Sequence, residues 1–183
     1  MIDVIPGIGP QKEWSIIEER LNIVMPHVEW AQIDFADNTF VPNTTFMEFE
    51  KFRDFSDKIS LEAHLMVAQP EKYIKAAADA GFKRIIAHVE AHDPRIFLDQ
   101  IDFVLVMTVE SGFSGQPFLP ETVEKIKSIH AYLPDLPIEV DGGISDVTAR
   151  LVKDAGATRL VATSFLFKDP ANITDAIEQL KNI

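Results

Sequence analysis

Several short apolar stretches of this 183-residue chain carry ionisable or amide side chains two residues apart. Trp30 to Ala36 holds Gln32 and Asp34; Ile59 to Met66 holds Glu62 and His64 and ends in Met66. Arg84 to Glu90 holds His88 and Glu90, and Pro137 to Asp141 holds Glu139 and Asp141. Successive side chains of a strand point to opposite faces, so each polar set shares one face while neighbours such as Ala31, Ile33 and Phe35 take the other. Carboxylates beside imidazoles do two kinds of work, proton transfer and the holding of a divalent cation. The chain has no cysteine, so a disulfide framework, a thiol nucleophile and a thiolate metal site are excluded, and any metal must be held by oxygen and imidazole nitrogen. The exit of the first stretch, Asp37-Asn38 and then Pro42-Asn43, reads as a turn and a stiffened loop, and α/β folds place their chemistry where such strands end.

The elements that position these residues follow one rhythm. A short apolar segment, Ile2 to Pro6, leads through Gly7-Ile8-Gly9-Pro10 into a helical pattern from Lys12 to about Met25, with Trp14, Ile17, Leu21 and Val24 on one face. After the second strand, Thr45 with Glu48 predicts a capping box that opens a helix to about Ser56. Strands are expected at Ile59 to Met66, Arg84 to Glu90, Ile101 to Val109, Pro137 to Asp141 and Arg159 to Ala162. Helices are expected from Lys72 to Ala80 with Gly81 as the stop, from Pro120 to about Tyr132, from the Ser145 cap to Gly156, and after Asp169-Pro170. A βα unit repeated about seven times argues for a parallel sheet covered by helices. An open doubly wound sheet and a barrel share that order, but the former needs apolar residues on both faces of its central strands. Polar strand ends that converge on one interior suit a barrel mouth.

Composition bounds the rest. A hydrophobic content of 46% over 183 residues suits a single domain spanning residues 1–183. With 29 acidic against 17 basic side chains the net charge is -12, which excludes a nucleic acid or an anionic membrane as the expected partner. The sequence shows neither a secretory signal nor an apolar run of membrane-spanning length, and the expectation is a cytoplasmic protein.

Read together, several ordered stretches resemble the ribulose-phosphate 3-epimerase family. WAQIDFADNTFVPN is similar to that family's second-strand signature, and AHLMVAQPEKYI, HVEA, DQIDFVLVMTVESGFSGQPF and IEVDGG follow in the family's order. The resemblance implies a TIM-like (βα) barrel and the interconversion of D-ribulose 5-phosphate and D-xylulose 5-phosphate by two-base proton transfer at C3 through a metal-stabilised enediolate. It implies Asp34 and Asp141 as the catalytic acid and base, and Gln32, Asp34, His64 and Asp141 as the positions around a divalent metal (zinc, iron, manganese, cobalt or magnesium). Met66 and Met107 would line the reacting carbon, Gly112, Gly115 and Gln116 the lid, and Gly142, Gly143, Thr163 and Ser164 the phosphate. The expected partners are a small-molecule sugar phosphate and further copies of the chain.

The chain also departs from that pattern. Gln32 stands where the family has a histidine ligand, Gly7 where it has a substrate-contacting serine, and Thr163 where it has a glycine. Only Ala91 to Gln100 separate Glu90 from Ile101, room for one short helix from His92 to Asp99 and no further strand. Seven rather than eight βα units are therefore expected, either closed or left gapped and covered by a partner subunit. Two other functions remain open on these residues: a different sugar-phosphate lyase or isomerase on the same scaffold, or a catalytically impaired phosphate-binding relative.

Overall fold

The computed structural model describes residues 2–91 and 101–183, so the helix expected from His92 to Asp99 lies outside the described residues. In chain order the strands are β1 (Asp3–Pro6), β2 (Trp30–Ala36), β3 (Ser60–Met66), β4 (Arg84–Ala87), β5 (Val104–Met107), β6 (Ile138–Asp141) and β7 (Arg159–Ala162). The α-helices are α1 (Trp14–Val24), α2 (Arg53–Ser56), α3 (Glu71–Asp79), α4 (Thr122–Tyr132), α5 (Asp146–Asp154) and α6 (Ile173–Lys181). The chain divides into two compact units, one built on β2 to β4 and the other on β1 and β5 to β7. Among the described residues no helix is long and apolar enough to cross a membrane.

In the first unit, residues 6–91 and 111–113, the parallel sheet runs β2-β3-β4. Asp34 stands opposite His64 and Ala36 opposite Met66, so the residues singled out by their spacing meet in register. The other face of β2 buries Phe35, which stacks on Phe49 at 4.1 Å and meets Phe52 and Phe82 edge-on. Trp14 of α1 packs edge-on to Phe52 at 5.2 Å. Such ring pairs contribute about 0.5–1.5 kcal/mol each beyond their buried area, and here they fix the sheet to its helices.

The capping box expected at Thr45 does not form. Thr45 Oγ1 instead accepts from the Ala36 amide at 2.9 Å, and the Thr45 amide donates to the Ala36 carbonyl at 2.9 Å. The hydroxyl is used to fasten the loop to the end of β2, and helical structure begins only with the 3-10 turn Phe49–Phe52 that leads into α2. β4 likewise stops at Ala87, three residues early, because a 3-10 turn at Val89–Ala91 takes over and the Ala91 amide donates to the His88 carbonyl.

The second unit, residues 2–5, 101–110 and 114–183, has the order β1-β7-β6-β5. Met107 stands opposite Asp141, and Asp141 opposite Val161. Ile126, Ile138, Val140, Leu160, Ile173, Ile177 and Leu180 form an aliphatic core in place of the first unit's rings. Ser145 caps α5 as the sequence predicts: its side chain accepts from the Thr148 amide while Thr148 Oγ1 accepts from the Ser145 amide at 2.8 Å. β5 is shorter than expected at both ends, starting at Val104 and ending at Met107, after which the Thr108 amide donates to the Asp141 carbonyl.

Candidate active site

The first unit gathers its polar residues at the C-terminal ends of β2, β3 and β4. His64 Nδ1 lies 3.0 Å from Asp34 Oδ1, and His64 Nε2 lies 2.9 Å from His88 Nε2. Gln32 Nε2 donates to the same Asp34 oxygen at 3.0 Å, and Gln32 is fully buried. The His64 side chain is 1% exposed and that of Asp34 12%, so the carboxylate is the member that reaches solvent. His88 stacks on His64 with ring centroids 5.0 Å apart and packs on Phe40 at 4.7 Å. Burial, and then the charge of His64, hold the His88 imidazole far below its ordinary value of 6.5, at about 3, against the opposing pull of Asp34. His88 is therefore neutral at physiological pH. Met66 closes this end with Ala36 and Val41 in a small apolar cluster.

Gly9 holds Asp34 from the other side, since a Cβ there would collide with Cβ and Oδ2 of Asp34. The loop that carries it is pinned by the Ile8 amide on the Gln32 carbonyl at 2.9 Å and by Arg20 of α1, whose guanidinium donates to the Ile8 carbonyl at 3.1 Å. Gly112 is in this unit as well, with φ +116°, and its carbonyl accepts from Asn43 Nδ2 at 2.7 Å.

In the second unit Asp141 ends β6, half-buried, beside Met107 on the neighbouring strand. Gly142 and Gly143 follow at φ +112° and +63°, in a turn that a side chain could not enter: a Cβ on Gly142 would strike Val109. Thr148 Oγ1 donates to the Gly143 carbonyl at 2.8 Å, which ties this turn to the start of α5. Thr163 and Ser164 occupy the corresponding turn after β7, closed by the Phe167 amide on the Thr163 carbonyl at 3.0 Å. Gly115 lies in an exposed turn with φ +79° and open space around it, and Gln116 donates its amide to the Glu110 carbonyl. Gln32, Asp34, His64, Met66 and Gly112 thus belong to the first unit, and Met107, Gly115, Gln116, Asp141, Gly142, Gly143, Thr163 and Ser164 to the second.

Comparison with known proteins decides what this arrangement belongs to. The model of the "Ribulose-phosphate 3 epimerase family" matches residues 6–96 and 92–167. The chain belongs to this family. The epimerase family model is matched in two stretches that meet at residues 92–96, within the short connection between Glu90 and Ile101. A ribulose-phosphate 3-epimerase of Bacillus subtilis is 34% identical, over 91% of this chain and 93% of that protein. The enzyme of the same name from Synechocystis is 32% identical, over 99% of this chain and 94% of its own. In fold the chain is similar to orotidine 5'-phosphate decarboxylase from Pyrococcus horikoshii, with a TM-score of 0.67 at 14% identity over 98% of this chain and 97% of the other. The epimerase family and this likeness give the fold class, an α/β protein of the TIM-barrel type, with seven strands among the described residues.

Of two further residues of the site, the sequence leaves His88 open between packing the core and supporting a ligand, and does not assign Gly9. His88 shares a face with Glu90 in the pattern, but its contact with His64 depends on the β3–β4 register. Gly9 gave a local signal, a glycine set before a proline in a loop, without saying that a carboxylate would lie against it.

Proposed function

We propose that the protein is a ribulose-phosphate 3-epimerase that moves the C3 proton of D-ribulose 5-phosphate with Asp34 and Asp141. The observation that carries this reading is the Asp34–His64 pair, formed at adjacent strand ends within the stretches that the epimerase family matches. Inversion at a carbon next to a ketone needs one group to remove a proton on one face and another to return one on the opposite face. Asp34 and Asp141 stand at the ends of different strands, each half-buried, which suits a pair that alternates between base and acid.

Asp34, His64 and Asp141 offer two carboxylate oxygens and an imidazole nitrogen, a donor set that fits a divalent cation. The cation, when bound, polarises the ketone and makes the C3 proton more acidic. Gln32 keeps its place among the four positions by donating to Asp34 Oδ1, which orients that carboxylate. Met66 and Met107 would cover the reacting carbon with apolar surface. Gly142 and Gly143 before α5, with Thr163 and Ser164 after β7, supply amides and hydroxyls for the phosphate. The turn from Gly112 to Gln116 is the proposed lid.

The test is to follow D-ribulose 5-phosphate by carbon NMR with manganese, zinc, iron, cobalt or magnesium supplied in turn. Formation of D-xylulose 5-phosphate is the expected result. Cleavage or decarboxylation products in its place would assign the scaffold to a different reaction, and an unchanged substrate with every metal would mark a binding protein.

A further inference from the structure

The His64–His88 contact has a direction that the rest of the site imposes. A neutral imidazole has one N–H and one lone pair, on different nitrogens. Nδ1 of His64 lies 3.0 Å from the Asp34 carboxylate and 3.4 Å from the Gln32 amide nitrogen, and its Nε2 lies 2.9 Å from His88 Nε2. A cation shared with Asp34 needs the lone pair on the nitrogen that faces Asp34, which is Nδ1. The His64 proton must in that case sit on Nε2 and be donated to a lone pair on His88 Nε2.

We propose that His88 is the positioning residue of the metal centre, an acceptor that fixes His64 as the Nε2–H tautomer and so presents its Nδ1 lone pair to the cation. The inference rests on the reading of His64 as a ligand. With His64 ligating through Nδ1, its one proton is on Nε2 and that of His88 on Nδ1. The Nδ1–H of His88 then faces Glu90 Oε2, 3.9 Å away. Phe40 and His64 hold the His88 ring between them, so it cannot easily turn aside. A partner of this kind on the far nitrogen of a ligating histidine sets ring orientation as well as tautomer.

The test compares cobalt(II) binding, by calorimetry and visible absorption, in the parent protein, His88→Phe and His88→Gln. Phenylalanine keeps the stack and removes the acceptor, whereas glutamine restores an acceptor oxygen. His88→Phe is expected to weaken cobalt binding about 10- to 100-fold while His88→Gln stays within about threefold of the parent. Equal weakening in both variants, or none in either, overturns the proposal. The second measurement needs no variant: long-range proton–nitrogen NMR of the imidazoles, without metal and with zinc. A His64 proton on Nε2 and a His88 proton on Nδ1 with zinc bound support the proposal, and a His64 proton on Nδ1 with zinc bound overturns it. A parent protein that binds neither metal instead removes the metal centre itself.

Discussion

The two units share a frame at the N-terminal ends of their strands and differ at the C-terminal ends. In the first unit the buried Glu62 of β3 pairs with Arg84 of β4 at 3.1 Å, and the guanidinium lies 3.5 Å over the ring of Trp30 on β2. In the second, the buried Glu139 of β6 faces Arg159 of β7 at 3.9 Å, and that guanidinium lies 5.0 Å over Phe103, just before β5. An aromatic residue, a glutamate and an arginine thus recur in the same order, on or just before three consecutive strands. Two residues past each glutamate stand His64 and Asp141; four past each aromatic stand Asp34 and Met107; four past each arginine stand His88 and Thr163. A common support carries imidazole and carboxylate in one unit, and a carboxylate with a glycine turn in the other. Buried charge therefore has two separable roles in this chain, holding the sheets and doing chemistry.

That separation can be broken at either end. The largest effect is expected from Asp34→Asn, which should lower kcat about 10²- to 10⁴-fold with an unchanged melting temperature. Melting curves alongside turnover check it, and a large loss of stability would mean that Asp34 belongs to the frame as well. Next comes Arg84→Met, which leaves Glu62 buried beside an apolar chain and should cost about 3–5 kcal/mol in denaturant unfolding. Arg159→Met should cost less, because its contact with Glu139 is longer. Equal losses would show that the two frames are equivalent despite their distances.

A smaller effect is expected from Gly9→Ala. Its Cβ would displace Asp34, so turnover should fall roughly tenfold or more, as small misplacements of a reacting group do, while stability changes little. The smallest concerns Asp37 and Tyr73, at the rim of the first unit. Burial tends to raise Asp37, but hydrogen bonds from Thr39 and Tyr73 outweigh it and hold the carboxyl below its ordinary value of 3.8. Burial, and then Asp37, push Tyr73 above 10.0. Both shifts favour the folded state between these values, and the contribution is lost as pH falls through the folded value of Asp37 or rises through that of Tyr73. Tyr73→Phe should remove about 1 kcal/mol near neutrality and flatten the stability profile at both ends. A variant whose pH profile matches the parent's would refute the coupling.

The first unit also shows what a sequence can and cannot convey. Periodicity placed Asp34, His64 and Asp141 on strand ends because a strand's two-residue repeat is local. The Ser145 cap was legible for the same reason, with donor and acceptor three residues apart. Thr45 offered the same local signal and was taken by Ala36, nine residues back, a partner that exists only once the loop has folded onto β2. The stacking of His64 on His88 and the approach of Gly9 to Asp34 likewise depend on register and close backbone packing, which no local spacing encodes.

The most direct test of the whole account is hydrogen exchange at C3. D-ribulose 5-phosphate incubated in deuterated water with the metal-loaded protein should acquire one deuterium at C3 and appear as D-xylulose 5-phosphate, and both Asp34→Asn and Asp141→Asn should slow the conversion about 10²- to 10⁴-fold at unchanged folding. A substrate that keeps its C3 hydrogen with every metal supplied, or a conversion that runs at the parent rate without either aspartate, would contradict it.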